Sequence, residues 1–327
     1  MKQWSRFFQN EAFLEKTRLY LLREDQRAYV AERIGLRPGL RVLEVGCGTG
    51  AFSRYLARSV REVSFTGLDL DPDFIEAARR LAPEGEGGCG FTFLQGDALA
   101  LPFEEGTFDA VVSHTFFNSV PRYREALREM IRVCRVGGTV ASVTAMDLNH
   151  VPVSGGIWPK DADAWKPAYD ALFVKVQAMY ERVAPLRDYT AGIPTALLPN
   201  LFESERLEAV SAWPLGVFFS LSNHAVPEAE RRRYIELSCE ADRKRLLAVW
   251  EEPEAREMLS REEVETFCGL LEQKRDYLLA HLRDNRVWEW EGGASLLLTG
   301  RKPSEDGALV RGLLSLIGSG TEERKHV

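Results

Sequence analysis

The spacing of apolar residues divides the chain into two halves of different character. Between positions 11 and 34, Phe13, Leu14, Leu19, Tyr20, Leu22, Val30 and Ile34 recur at helical intervals, and Gly35 supplies a stop. After a turn at 37–39, short β-rich runs alternate with helical stretches. The pattern predicts strands over 41–45, 63–70, 91–95, 108–114 and 139–146, and helices over 51–59, 72–81 and 123–134. Repeated β-loop-α-β units of this length predict an α/β fold: a doubly wound, mostly parallel sheet with helices on both faces. Ligands bind such sheets at the carboxyl ends of the strands.

Beyond Met146 the rhythm breaks. Residues 147–200 mix Pro, Gly, Trp and Tyr, with one helix expected over about 164–183. Residues 206–222 then form a strand and loop, 227–285 form helices rich in Arg and Glu, and 294–302 form a last strand. The apolar run 295–298 needs a sheet to cover it, so the chain is expected to return to the first one and complete seven strands. The expected organisation is a helical cap (1–36), a core (37–146), an insertion (147–200), the remaining strands with a helical insertion (201–302) and a tail (303–327). The stretch 308–317 in that tail is expected to be a docked end, with a short amphipathic helix against a partner as the alternative. The insertion is too long for an ordinary connection and falls at the carboxyl edge, so it is expected to be a lid that closes with the helix carrying Tyr20.

Composition narrows the function classes. The chain has 327 residues, 45% hydrophobic and 28% charged, enough to bury a full core. A net charge of -7 argues against nucleic acid as a partner, because gripping phosphates needs a clustered basic surface. Without a long apolar run there is no stable membrane insertion, and the cytoplasm is the expected location. The five cysteines lack a C-x-x-C pair, so neither a metal site nor a disulfide framework is expected.

The stretch 43–52, LEVGCGTGAF, carries the chemistry. Gly46, Gly48 and Gly50 after an apolar run imply a tight turn that something approaches too closely for a β-carbon. Gly46, Gly48 and Ala51 also satisfy the dinucleotide fingerprint, so the glycines alone leave the adenosine cofactor open. Glu44 ends the strand just before them; it would repel a diphosphate, but it suits a ligand with an ammonium and a sulfonium, which describes S-adenosylmethionine. Asp69 ends the next strand and can accept from both ribose hydroxyls, with Leu70 beside it facing the adenine. Asp97 can accept from the exocyclic amine while Ala98 offers its amide to the ring. Cys47 is read as a small residue whose backbone matters, not as a nucleophile.

With LEVGCGTG, GLDLDP, GDALALPFEEGTFDAVVSH and EMIRVCRVGGTV in that order across 41–140, the sequence resembles the class I S-adenosylmethionine-dependent methyltransferases, especially the small-molecule and quinone-type branch. The resemblance implies a Rossmann-like methyltransferase fold whose sheet ends in an antiparallel strand, supplied by 295–302. It implies that Glu44, Gly46, Gly48 and Gly50 line the methionine and ribose side, that Asp69 holds the ribose, that Asp97 and Ala98 frame the adenine, and that His114 lies beside the methionine portion. The chain departs from the pattern at Ser119, where relatives often carry a histidine, and it lacks the proline-tyrosine motif of enzymes that methylate nucleic-acid amines.

A small, apolar or aromatic acceptor is expected, with a quinone or lipid-like molecule as the alternative, because aromatic residues cluster in the cap and insertion. Tyr20, Phe117, Asn118, Asp147 and Trp158 are candidates for its binding, and His114, His150 and His224 are weak candidates for a base, each with a structural role as its competitor. The insertion could instead form a homodimer. A nicotinamide oxidoreductase is disfavoured by Glu44 and Asp97, whereas a non-catalytic cofactor-binding adapter would show the same pocket.

Overall fold

The computed structural model describes residues 4–83, 86–145, 158, 160–183, 192–283 and 290–304. Its seven strands form one sheet. Strands β1 (Arg41–Val45), β2 (Ser64–Asp69), β3 (Gly90–Gln95), β4 (Phe108–His114) and β5 (Cys134–Ala145) run parallel. Strands β6 (Glu208–Ser220) and β7 (Trp290–Arg301) complete the order β3-β2-β1-β4-β5-β7-β6. Val42, Leu43, Glu44 and Val45 of β1 are all buried because helices cover both faces.

Helices α3 (Arg27–Ile34) and α4 (Ala51–Ala57) cover one face with Ile34, Phe52 and Leu56; α6 (Tyr123–Val133) and α8 (Leu198–Ser204) cover the other with Leu127, Met130 and Phe202. Helix α5 (Pro72–Leu81) starts where the sequence places it: Pro72 sits at its first turn and Asp71 caps it by accepting from the Asp73 amide at 3.1 Å.

Three expectations change. The predicted first helix is two, α2 (Glu11–Leu21) and α3, separated by the polar quartet 23–26 because the two pack on different surfaces. The strand expected to begin at 139 begins at Cys134 instead, with an irregular register against β4. The last strand, β7, is antiparallel to its neighbours as the resemblance implies, but it lies inside the sheet, and β6 forms the edge. Pro214 is tolerated in β6 because an edge strand has an amide face without a partner strand.

The pairing of β5 with β7 stops at Ala145–Ser295, whereas β6 and β7 stay paired to Ser220–Trp290. This two-stranded ribbon rises past the carboxyl edge and carries the cap. Arg23 Nη1 and Gln26 Nε2 donate to the carbonyls of Phe218 and Gly216 at 3.3 and 3.0 Å. A helical layer with its own apolar core joins α1 (Trp4–Phe7), α7 (Lys166–Val183), α9 (Glu228–Trp250), α10 (Pro253–Met258) and α11 (Arg261–Ala280). Helix α7 packs into that layer, with Met179 fully buried. No described helix is long and apolar enough to cross a membrane.

Candidate cofactor site

Four neighbouring strands, β3, β2, β1 and β4, deliver their carboxyl ends to one arc of the sheet edge. The loop after β1 opens it. Gly46, Gly48 and Gly50 all have left-handed backbones, at φ 69°, 51° and 72°, which glycine adopts without the steric cost of a β-carbon. The protein's own side chains press closely on this loop. A β-carbon on Gly46 would lie 2.3 Å from the Phe116 ring, on Gly50 2.6 Å from Phe93, and on Gly48 3.0 Å from Leu14.

The loop is tied to the end of β2. The Gly46 and Cys47 amides donate to the Leu68 carbonyl at 2.8 and 3.1 Å, and the Gly48 amide donates to Asp69 Oδ2 at 2.8 Å. Asp69 Oδ1 accepts from the Asp71 amide at 3.0 Å. Burial nonetheless pushes this carboxyl up to about 6, against the two backbone bonds, so its anionic form gains from further donors. Leu70 beside it is 47% exposed, an apolar side chain left uncovered next to the acid. The Gly96 amide donates to the Asp69 carbonyl at 2.9 Å and brings the post-β3 loop alongside. There Asp97 is exposed, its Oδ1 accepting from the Leu99 amide at 2.9 Å, and Ala98 is partly buried.

Glu44 has a different neighbourhood from the one its position suggests. It is 1% exposed, and its Oε2 accepts from the Ser53 amide at 3.0 Å and from Ser53 Oγ at 2.5 Å, so it anchors the first turn of α4 beneath the glycine loop. Burial raises its pKa to about 7, opposed by Ser53, Arg18 and Arg54. Cys47 is 5% exposed and burial lifts its thiol well above the usual range, with Asp69 and Glu44 adding to the effect; such a thiol is inert.

His114 ends β4, but its ring turns away from the arc. It stacks on Phe52 at 5.3 Å, is 3% exposed, and its Nε2 has no hydrogen-bond partner among the described residues. Burial, with help from the Arg18 charge, holds its pKa well below normal, so it is neutral. Thr115 and Phe116 continue past the strand, Thr115 in a left-handed backbone at φ 48°. Arg18 Nη2 of α2 donates to Thr115 Oγ1 at 3.1 Å. Sequence reasoning passed over Arg18; its signal was a cation one helical turn from Leu14 and Glu15, on the buried stripe of α2.

The acceptor-side candidates scatter. Phe117 is fully buried against Phe116 and Phe202, held under the Ile193 amide that donates to its carbonyl at 3.1 Å, so it is core and not pocket wall. The ring over the glycine loop is its neighbour Phe116. Asn118 braces the same loop by accepting from the Gly192 amide at 3.3 Å through its carbonyl. Tyr20 packs where the end of β6 meets α9 and α11, and Trp158 sits edge-on to Trp165 at 5.6 Å inside the helical layer. His224 is exposed in the turn after β6. Asp147, His150 and the 308–317 segment lie outside the described residues.

The methyltransferase domain family matches residues 43–142, which span the arc. A fatty-acid O-methyltransferase of Mycolicibacterium smegmatis is 46% identical over 114 residues, 35% of this chain and 40% of that protein. A phthiotriol/phenolphthiotriol dimycocerosates methyltransferase of Mycobacterium leprae is 37% identical over 123 residues, 38% of this chain and 43% of that one. A demethylmenaquinone methyltransferase of Staphylococcus aureus is 31% identical over 156 residues, 47% and 63% of the two chains. The matched region thus spans less than half of the first two relatives and less than two thirds of the third. Residues 43–142 of the chain thus carry a methyltransferase domain, similar in part to the methyltransferases named above.

Proposed function

We propose that this protein transfers a methyl group from S-adenosylmethionine to a small apolar acceptor of the lipid or quinone kind. The observation that carries the cofactor assignment is the convergence of the glycine loop, Asp69 with Leu70, and Asp97 with Ala98 on one arc of adjacent strand ends. The residues fit the nucleoside: a desolvated carboxylate for ribose hydroxyls, an uncovered leucine for an adenine face, and a second exposed acid for the amine. Arg18 supplies a guanidinium at the end of β4, suited to the carboxylate at the cofactor's amino-acid end. The acceptor class is supported by the relatives, whose names state fatty-acid, phthiotriol-type and demethylmenaquinone methylation.

The bound sulfonium supplies an electrophilic methyl group, and displacement at it is accelerated chiefly by holding donor and acceptor in line. In this reading Phe116 walls the acceptor against the glycine loop, and the β6–β7 ribbon with α2 and α9 keeps water out. Neutral, buried His114 is a packing residue here. A carboxylate or phenolate acceptor is already ionised or readily so, and needs no protein base.

Calorimetric titration with S-adenosylmethionine and with NAD, and then assay of S-adenosylhomocysteine release with a long-chain fatty acid, an alkylphenol and a demethylated quinone, tests this reading. Cofactor binding and turnover with one of the three are expected. Binding without turnover on any acceptor would favour an adapter, and NAD binding would favour an oxidoreductase.

A further inference from the structure

Glu15 is a charged side chain in the interior, 7% exposed, and the chemistry of the pocket does not use it. One of its oxygens accepts from Thr49 Oγ1 and from Arg54 Nη2, both at 2.7 Å, and the other accepts from Arg233 Nη2 at 2.9 Å. Thr49, itself 2% exposed, stands between Gly48 and Gly50, and its carbonyl accepts from Arg54 Nη1 at 2.5 Å. Arg54 belongs to α4 and Arg233 to α9. A single carboxylate therefore joins α2, the glycine loop with its helix, and the cap helix α9. Burial alone would raise its pKa, but the charge of Arg54, hydrogen bonds from Thr49 and Arg54, and Arg233 outweigh it, and Glu15 stays ionised.

A buried ion network of this kind adds little net stability over apolar packing, and in some proteins it fixes one arrangement of the parts it joins. The parts here are the glycine loop with α4 on one side and α2 with α9 on the other. Leu14, adjacent to Glu15, rests on Gly48, and Asn10 Nδ2 fastens the start of α2 to the Ala241 carbonyl of α9 at 2.9 Å. One turn further along α2, Arg18 reaches Thr115 at the end of β4.

We propose that Glu15 is a positioning residue that transmits occupancy of the glycine loop to α2 and α9, so that cofactor binding sets the cap over the acceptor side. The inference rests on the loop being the cofactor site. A ligand that orders the loop orders Thr49; Thr49 and Arg54 orient Glu15; Glu15 orients Arg233; and two rigid helices move with them. The coupling is one of shared order between sites, which thermodynamics makes reciprocal.

Amide hydrogen exchange on the full chain, with and without S-adenosylhomocysteine, tests it. In the wild type the ligand is expected to slow exchange at 46–54, and also at 11–21 and 228–250. In Glu15→Gln the protection at 46–54 persists, while that at 11–21 and 228–250 falls by at least about threefold and ligand affinity changes by less than about fivefold. Thr49→Val removes only the loop-side hydroxyl and gives the same pattern, which keeps the test open if Glu15→Gln fails to fold. Glu11→Gln, whose partner Arg80 lies on the surface, behaves as wild type. Cap protection that survives in the folded variants, or cap exchange raised equally with and without ligand, overturns the proposal. So does wild-type protection confined to the loop. A wild-type loop that shows no response to the ligand overturns the cofactor reading, and this proposal with it.

Discussion

The main-chain amide of Gly48 donates to Asp69 Oδ2 at 2.8 Å, so the glycine loop after β1 and the acid after β2 form one rigid corner. Asp69 thus holds the loop, and in the proposed function it also faces the cofactor's ribose. Asp69→Ala is expected to weaken S-adenosylmethionine binding tenfold or more, since lost charge-assisted hydrogen bonds cost about 1.5–3 kcal/mol. Calorimetry measures it, and an unchanged affinity would move the ribose elsewhere.

Glu44 and Asp69 make the unliganded protein sensitive to pH. Burial raises their carboxyls to about 7 and about 6, from ordinary values of 4.5 and 3.8. The folded state then binds more protons than the unfolded state between these limits, so stability falls as pH rises through that window and is regained on acidification towards pH about 4. Glu44→Gln keeps an acceptor for Ser53 and removes the charge. Its melting temperature is expected to vary less than that of the wild type between pH 5 and 7, as a pH series of thermal melts will read. Cofactor affinity should move the other way, dropping below pH about 6 as Asp69 takes up its proton.

Cys47 is a buried residue within the glycine loop. Cys47→Ser is expected to bind S-adenosylmethionine within about threefold of wild type, because the loop's amides rather than the thiol tie it to β2. Native protein treated with iodoacetamide should leave this position unmodified in peptide mass analysis. Loss of methyl transfer with affinity intact would instead make the thiol chemical.

Helix α7 carries stability as well as any closing role. Removing it would strip Tyr169, Val176, Met179 and Tyr180 from the core of the helical layer, so replacing 153–190 with a flexible linker is expected to unfold that layer. A milder probe is Met179→Ala, at a fully buried position, with an expected cost of about 2–5 kcal/mol. A urea midpoint that stays at the wild-type value would show that the layer repacks around the cavity.

Much of the α/β half was legible because its signals are local. The helix at Pro72–Leu81 and the strand at Phe108–His114 stand where periodicity and capping residues put them, and Gly46, Gly48 and Gly50 mark the loop through a backbone requirement that few other residues meet. Asp69, Leu70, Asp97 and Ala98 reach the arc because residues that end parallel strands share one edge of the sheet. What the sequence could not decide was direction and partner. Whether His114 faces the arc or Phe52, and whether Phe116 or its neighbour Phe117 lies over the loop, turns on a strand's two-residue alternation and on the course of the loop after it. Glu15 and Arg18 became meaningful only when α2 was laid across the glycine loop and the end of β4, contacts separated by 34 and 97 positions in the chain. Local pattern specifies which elements form; the burial of distant surfaces against one another specifies which polar groups must find partners, and only the tertiary structure supplies those.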